Sequence, residues 1–330
     1  MQTHLKNSAQ YYINGILQKD RIIFSKAITL IESTKKEDEI IAAEVIEFCL
    51  NNKKNSKRIA ISGAPGVGKS TFINSFGKLL LDENHSLAVL AIDPSSNESK
   101  GSILGDKTRM EDLIRYSNCF IRPTASNNKL GGTARTSYET IILCEAFGFD
   151  YIFLETVGVG QSETMASNMV DLFLLLLLPN AGDELQGIKR GIMEMADIIL
   201  INKSDIDNNL AKIAAAQVKQ AIHLFSENEK NWIPQVLNIS AQENIGLSEL
   251  NTIIPSYFLK IETSGYLEHQ RKQQDLFWLE EAIFYKLQQS FTENASIAEY
   301  KETLKQKILQ KEITAIQAAK IIVEKFLNNK

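Results

Sequence analysis

Apolar residues recur along this chain in two textures. From Tyr11 to Leu50 they fall at turn spacing, as in Ile22, Ile23, Ala27, Ile28 and Ile31, with no proline among them, which predicts helices. Thr34-Lys35-Lys36-Glu37 has the form of a capping box and places a helix start ahead of Ile40, Ile41 and Val45. The polar stretch Asn51–Lys57 breaks the pattern and reads as a solvated connector. From Arg58 to about Ile261, short apolar runs alternate with helical segments. The predicted strands are Ile59–Ser62, Leu87–Ile92, Tyr151–Leu154, Leu172–Leu178, Ile198–Ile201 and Val236–Ile239. Such alternation implies an α/β fold, with a mainly parallel sheet covered by helices on both faces and ligands at the carboxyl ends of the strands. Leu172–Leu178 is apolar throughout and reads as a strand buried on both faces. It is far too short to cross a bilayer, which takes about 20 residues in a helix. From Tyr266 onward the text is helical again, with an aromatic-rich stretch from Phe277 to Tyr285. A helical tail of this kind either dimerises or packs on its own core.

Composition narrows the class. The 330 residues are 44% hydrophobic and 23% charged, enough to bury a large core, and the length suits about two domains or one domain with appendages. Lys and Arg number 36 against 40 Asp and Glu, a net charge of −4, so no global basic field points to nucleic acid. Three scattered cysteines, Cys49, Cys119 and Cys144, fit buried thiols in a reducing compartment better than a disulfide framework or a zinc site. Met1–Gln10 lacks the basic-then-apolar order of a signal peptide. The expectation is a soluble, cytosolic chain with no membrane or nucleic-acid partner.

The strongest chemical signal follows the first α/β strand. Gly63-Ala64-Pro65-Gly66-Val67-Gly68-Lys69-Ser70-Thr71 matches G-x-x-x-x-G-K-[ST], the phosphate-binding loop. Its glycines let successive backbone N–H groups face one anion, and the helix that follows adds its positive end. Lys69 can reach β- and γ-phosphate oxygens, and the Ser70 hydroxyl can ligate Mg²⁺.

Such a loop does not name the base. Asn202-Lys203-Ser204-Asp205 follows the strand Ile198–Ile201. The Asp205 carboxylate there can accept from both N1–H and the 2-amino group of guanine, a fork that adenine cannot match. Asn202 would support the acceptor edge of the ring and the loop, and the stem of Lys203 can lie along the base. In isolation N-K-x-D is an ordinary helix cap; downstream of a phosphate loop it favours guanine. Ser240-Ala241-Gln242, after the next strand, sits where a backbone N–H could meet the guanine O6.

Asp93, Asp106 and Glu155 fall at or after strand ends, on the side of the phosphates. Mg²⁺ usually keeps several waters, so one or two carboxylates suffice. The other reading of each is a helix cap or a turn former. Gly158, Gly160 and Gln161-Ser162-Glu163 follow Glu155 directly, making a loop able to move with a γ-phosphate. Asn180–Gly191 is a second glycine-punctuated loop and carries Lys189 and Arg190; it can equally be an ordinary surface connection.

Taken together, these blocks resemble the methylmalonyl-CoA mutase-associated GTPases of the MeaB/ArgK type, the family of the cobalamin type A protein. The resembling text runs nearly end to end. It takes in Ala27–Ser33, Gly63–Thr71, Asp93–Ser96, Gly101–Met110, Glu155–Glu163, Gly182–Lys189 and Asn202–Asp205. The resemblance implies a P-loop GTPase domain over residues 57–262, a helical extension over 1–56 and a C-terminal helical region over 263–330 that dimerises the chain. It implies GTP/GDP and Mg²⁺ as ligands, and a chaperone role that gates adenosylcobalamin loading into a B12-dependent acyl-CoA mutase. The mutase's adenosyltransferase would be a further partner. By motif match, Asp93–Met110 would act as switch I, the segment after Glu155 as switch II, and the loop with Lys189 as the coupling to the mutase. Lys100, where the family often has glycine, and Thr136-Ser137-Tyr138 depart from the pattern away from the nucleotide residues.

Other classes use the same loop. A P-loop kinase linked to basic amino-acid transport would need a base near the γ-phosphate, and none is evident. A metal-insertion GTPase would be expected to cluster Cys and His, whereas His4, His85, His223 and His269 are scattered. A pure binding module would hold GTP without turning it over.

Overall fold

Strands form where nearly every position is apolar, because a strand covered on both faces has no solvent side to alternate toward. The computed structural model describes residues 8–92, 110–122, 132–156, 161–179, 190–222 and 229–328. The strands are β1 (Lys57–Gly63), β2 (Leu87–Ile92), β3 (Cys119–Arg122), β4 (Tyr151–Thr156), β5 (Leu172–Leu177), β6 (Ile198–Ile201) and β7 (Gln235–Asn238). They form one seven-stranded sheet in the order β3-β2-β4-β1-β5-β6-β7. Every pairing is parallel. β1 lies between β4 and β5, so its carboxyl end opens at the point where the winding direction changes, the usual ligand position in such sheets.

The six expected strands are present, and β3 is a seventh that the pattern does not announce. It has four residues, only Cys119 and Phe120 are buried, and it ends on Arg122. As an edge strand it lacks the continuous apolar run of the central ones. The capping box at Thr34 does not form. The helix there begins at Lys36, its cap is Lys35, and no side chain bonds the cap. Ser33 takes over the turn instead, donating from Oγ to Asp38 Oδ2 at 2.5 Å and accepting from Lys35 N at 3.3 Å.

Among the described residues, three helices precede the sheet: α1 (Ala9–Leu17), α2 (Arg21–Ile31) and α3 (Lys36–Asn51). Asp20 caps α2 by accepting from Ile22 N and Ile23 N. Buried Phe24 of α2 meets Phe120, Phe147 and Phe149, with ring centroids 4.8, 4.4 and 5.9 Å away. After β1 comes α4 (Lys69–Asp82), whose Phe72 and Phe76 stack in line with Phe153 of β4. Among the described residues, the remaining helices of this unit are α5 (Glu111–Ile114), α6 (Gly132–Phe147), α7 (Gln161–Ser167), α8 (Arg190–Met195), α9 (Asn208–Ile222) and α10 (Leu247–Thr263). The chain divides into two compact units at Gln274/Asp275, within α11 (Tyr266–Thr292). The N-terminal helices therefore fold with the sheet.

The second unit holds the rest of α11, α12 (Ala295–Leu309) and α13 (Ala315–Asn328). Its core is small: Ile297, Leu304, Ala318 and Ile322, with Phe291, Tyr300 and Phe326 packed around them. Leu276, Leu279, Ile283, Phe284 and Leu287 of α11 are exposed. Among the described residues no helix is long and apolar enough to cross a membrane.

The amino-terminal edge of the sheet is closed by buried charge. Arg58 of β1 makes a two-point pair with Glu145, Nε and Nη2 each 2.8 Å from a carboxylate oxygen. Burial works against the Arg58 charge, and the Glu145 carboxylate more than restores it. Asp171, just ahead of β5, accepts from Arg58 N at 3.0 Å and from Arg271 Nε and Nη2 at 2.9 and 2.8 Å. Asp197, just ahead of β6, accepts from Phe173 N at 2.8 Å and Lys230 Nζ at 2.6 Å. Burial still pushes its carboxyl above the usual range, with Lys230 pulling the other way. Breaking such a pair from one side strands an ion in the interior. Glu145→Ala is accordingly expected to cost about 3–5 kcal/mol in urea unfolding. The paired change Arg58→Met with Glu145→Leu should recover most of that loss; equal loss in both variants would refute the assignment.

Candidate nucleotide site

At the carboxyl end of β1 the chain must turn beside β5 with almost no room. Gly63 has φ +149°, and a Cβ there would lie 2.5 Å from the Leu176 carbonyl oxygen. Gly68 has φ +101°, and a Cβ there would lie 2.5 Å from Asn202 Nδ2. A side chain at either position would strain the backbone and collide. Gly68 is also the cap of α4 and supplies no side-chain cap, so the first N–H groups of α4 stay available to a ligand.

Lys69, half-buried, folds back over this loop. Its Nζ donates to Gly63 O at 2.6 Å and to Ala64 O at 3.2 Å. Burial lowers its pKa, while the Glu155 and Glu163 carboxylates favour the charged form. The Ser70 hydroxyl donates to Glu155 Oε1 at 3.2 Å. Glu155 is buried in β4, in register with Ile61 of β1 and Ala91 of β2. A hydroxyl and a carboxylate that close together form an all-oxygen donor set, which suits Mg²⁺. Among the described residues no three His, Cys, Asp or Glu converge on one point. A cation here would rely on water and phosphate for its other ligands, as Mg²⁺ commonly does.

The second half of the site is built on Asn202. Its buried amide donates from Nδ2 to Val67 O at 2.8 Å and accepts at Oδ1 from Ala241 N at 3.0 Å. One side chain thus ties the phosphate loop to the loop after β7. Ser75 of α4 adds a bond from Oγ to Ala241 O at 2.6 Å. Lys203 stands at φ +61°, and its Nζ donates to Gly66 O at 3.0 Å. Ser240 N donates to Ile245 O at 3.1 Å, closing the turn. Asp205 and Gln242 are exposed beside these buried neighbours.

Of the residues singled out from the sequence, Gly63–Thr71, Glu155, Asn202, Lys203, Asp205 and Ser240–Gln242 are brought together at this edge. Asp93, Asp106 and Lys189 lie outside the described residues, as do Gly158, Gly160 and residues 180–189. Asn202 uses both amide functions on backbone, so its visible role is to brace the loops. The sequence reading placed Glu163 in a loop able to move with a γ-phosphate; the structure instead puts it in the first turn of α7, fully buried. In the sequence it stands in a polar triplet, where nothing distinguishes an enclosed carboxylate from a solvated one.

Similarity to known proteins bears on this geometry. The family model described as "Methylmalonyl Co-A mutase-associated GTPase MeaB" matches residues 24–296. The chain is 40% identical over 323 residues to the "Methylmalonic aciduria type A homolog, mitochondrial" of Mus musculus, covering 94% of this chain and 78% of that one. It is 42% identical over 268 residues to "GTPase ArgK" of Escherichia coli, covering 81% of each. A solved structure titled "Crystal structure of LAO/AO transport system kinase" superposes with a TM-score of 0.73 at 31% identity, covering 96% of each chain.

The brace at Asn202 yields a direct test. Asn202→Asp keeps the acceptor for Ala241 N but places an oxygen against the Val67 carbonyl. We expect a loss of about 1–3 kcal/mol in unfolding free energy, together with weakened guanine-nucleotide binding by calorimetry. Full binding in that variant would remove Asn202 from the brace.

Proposed function

The chain belongs to the family of methylmalonyl-CoA mutase-associated GTPases of the MeaB type, and we propose that it serves a B12-dependent acyl-CoA mutase as a GTP-driven chaperone. In this reading it gates adenosylcobalamin loading into the mutase and protects the mutase in the cytoplasm. The observation that carries the proposal is the family match over residues 24–296, on a chain whose Lys69, Ser70 and Glu155 already meet at the phosphate loop.

The chemistry assigned to the site is GTP + water to GDP + phosphate. The N–H groups of Gly63–Thr71 would cradle the phosphates while Lys69 leaves the Gly63 and Ala64 carbonyls for β- and γ-phosphate oxygens. Ser70 and Glu155 would hold Mg²⁺, with Asp93 and Asp106 reaching it through water. Magnesium, when bound, neutralises charge that develops between the β- and γ-phosphates. Asp205 would read guanine through N1–H and the 2-amino group, with the Lys203 stem along the ring. The N–H groups of Ser240 and Ala241 are engaged with Ile245 and Asn202, which leaves the amide of Gln242 to turn toward the guanine O6. Lys189, between β5 and α8 in the sequence, would carry the nucleotide state to the mutase.

A kinase linked to basic amino-acid transport is the second reading, because the solved structure with a TM-score of 0.73 is titled a transport system kinase. Release of inorganic phosphate from GTP without any acceptor separates the two.

The chaperone reading is tested by capture. Purified methylmalonyl-CoA mutase should be retained by the immobilised chain, with retention changing at least about fivefold between GDP and a non-hydrolysable GTP analogue, a coupling typical of linked sites. Lys69→Ala should abolish the nucleotide dependence. No retention in either nucleotide state would overturn the mutase assignment.

We also propose that the second unit dimerises the chain. Leu276, Leu279, Ile283 and Leu287 recur at three- and four-residue steps on α11 and are all exposed, the spacing of a helix–helix seam. Light scattering should give twice the chain mass for the wild type and the chain mass for Ile283→Asp. A monomeric wild type would end this proposal.

A further inference from the structure

β3 is an edge strand, and its outer side is only partly satisfied. Leu87 N donates to Asn118 O at 3.0 Å, with Leu87 in register with Cys119. Successive residues of a strand turn their backbone groups to alternate sides, so the N–H and C=O of Ile121 point away from β2. Arg21, the first residue of α2, marks that outer side: Nη1 donates to Ser117 O at 3.0 Å and Nη2 to Cys119 O. Toward the other end of α2, Arg122 of β3 reaches Thr29 Oγ1 at 3.4 Å and pairs with Glu32. The two arginines act as struts between helix and strand. A groove of about 570 Å³ lies here, walled by α2, by Cys119–Arg122 and by Ile114 of α5. From Arg21 to Thr29 the helix rises about 12 Å, room for three or four residues of extended chain at about 3.3 Å each.

The chemistry of this groove is one-sided. Among the described residues, Arg21 meets only main-chain carbonyls, Lys26 has no partner, and Arg122 alone of the three lining cations is paired with a carboxylate. The buried Nε of Arg122 is left without an acceptor. Ile121 adds an N–H and a C=O that face away from the ladder, and Ile22 and Ile114 stand exposed beside the cations. Edge backbone of this kind takes an extended segment, and the excess of cations takes carboxylates. Apolar side chains set beside arginine are the usual composition of a protein contact. We propose that the groove between α2 and β3 docks an extended acidic segment of the partner protein. The inference rests on the chaperone reading, which supplies the partner, and adds the face that meets it. β3 stands three strands from β1, about 14 Å across the sheet, so this face is separate from the phosphate loop.

The test is the affinity of the full chain for purified methylmalonyl-CoA mutase by surface plasmon resonance, with GDP binding measured on the same samples. Lys26→Glu combined with Ile22→Asp alters exposed side chains only. It should weaken mutase binding about tenfold or more, while GDP affinity stays within about twofold of the wild type. Lys26→Arg keeps the charge and should bind mutase within about twofold. Added salt should weaken the wild type more than the double variant, which has lost the attraction that salt screens. If the double variant loses GDP as well, Lys26→Ala takes its place, with an expected loss of about threefold in mutase affinity. Unchanged mutase affinity in these variants overturns the proposal. So does a change in particle mass by light scattering, or a clear fall in melting temperature for Lys26→Ala. Those results would assign the groove to a second copy or to another segment of this chain. A wild type that fails to bind mutase overturns the chaperone reading and this proposal with it, a result distinct from binding that the groove variants leave intact.

Discussion

A parallel sheet leaves the loops at its carboxyl edge without ladder partners, yet those loops here are packed too tightly for water to satisfy every buried group. The amide of Asn202 resolves this conflict. Facing Val67 O with its donor and Ala241 N with its acceptor, it joins the phosphate loop to the loop after β7 through one rigid group. The tightness at Gly68 follows from it, since Asn202 Nδ2 occupies the space a Cβ would need. Lys203, next in the chain, closes over Gly66 from the same strand end. The phosphate loop and the loop after β7 are thereby held against each other.

The other edge of the sheet is organised by charge. Arg58, Glu145, Asp171 and Arg271 saturate one another, and Asp197 with Lys230 repeats the device one strand along. Buried ion pairs contribute little net stability compared with apolar packing, but they tolerate only one arrangement. Tyr257 adds its hydroxyl to the Asp171 carbonyl at 2.7 Å, and Gln274 reaches the Val170 carbonyl at the same distance. The strands therefore start from an amino-terminal edge tied by these contacts.

Much of this was legible beforehand, for physical reasons that differ by element. Doubly buried strands such as Leu172–Leu177 are visible because they have no polar positions. The phosphate loop is visible because its glycines are forced by φ and by close approach. β3 escaped notice because an edge strand of four residues needs neither feature. The capping box at Thr34 misled because Ser33 offered its hydroxyl one residue earlier. The pairing of Asp171 with Arg271 spans 100 positions, and no local pattern encodes it. Glu163 was unreadable for a related reason: burial of a single carboxylate is decided by the helix that packs over it, and a sequence window holds no record of that.

The chain's weak net charge of −4 fits this arrangement. A site that met phosphate with a basic surface would carry uncompensated cations and would hold nucleotide mainly by long-range attraction, which salt screens. Among the described residues, Lys69 is the cation seen at the phosphate loop, partly desolvated and hydrogen-bonded to the Gly63 and Ala64 carbonyls. For this one side chain, phosphate binding would exchange the Gly63 and Ala64 carbonyls for phosphate oxygens, so its contribution is the difference between the two sets of contacts. Local contacts of that kind are screened by salt far less than an exposed basic surface would be.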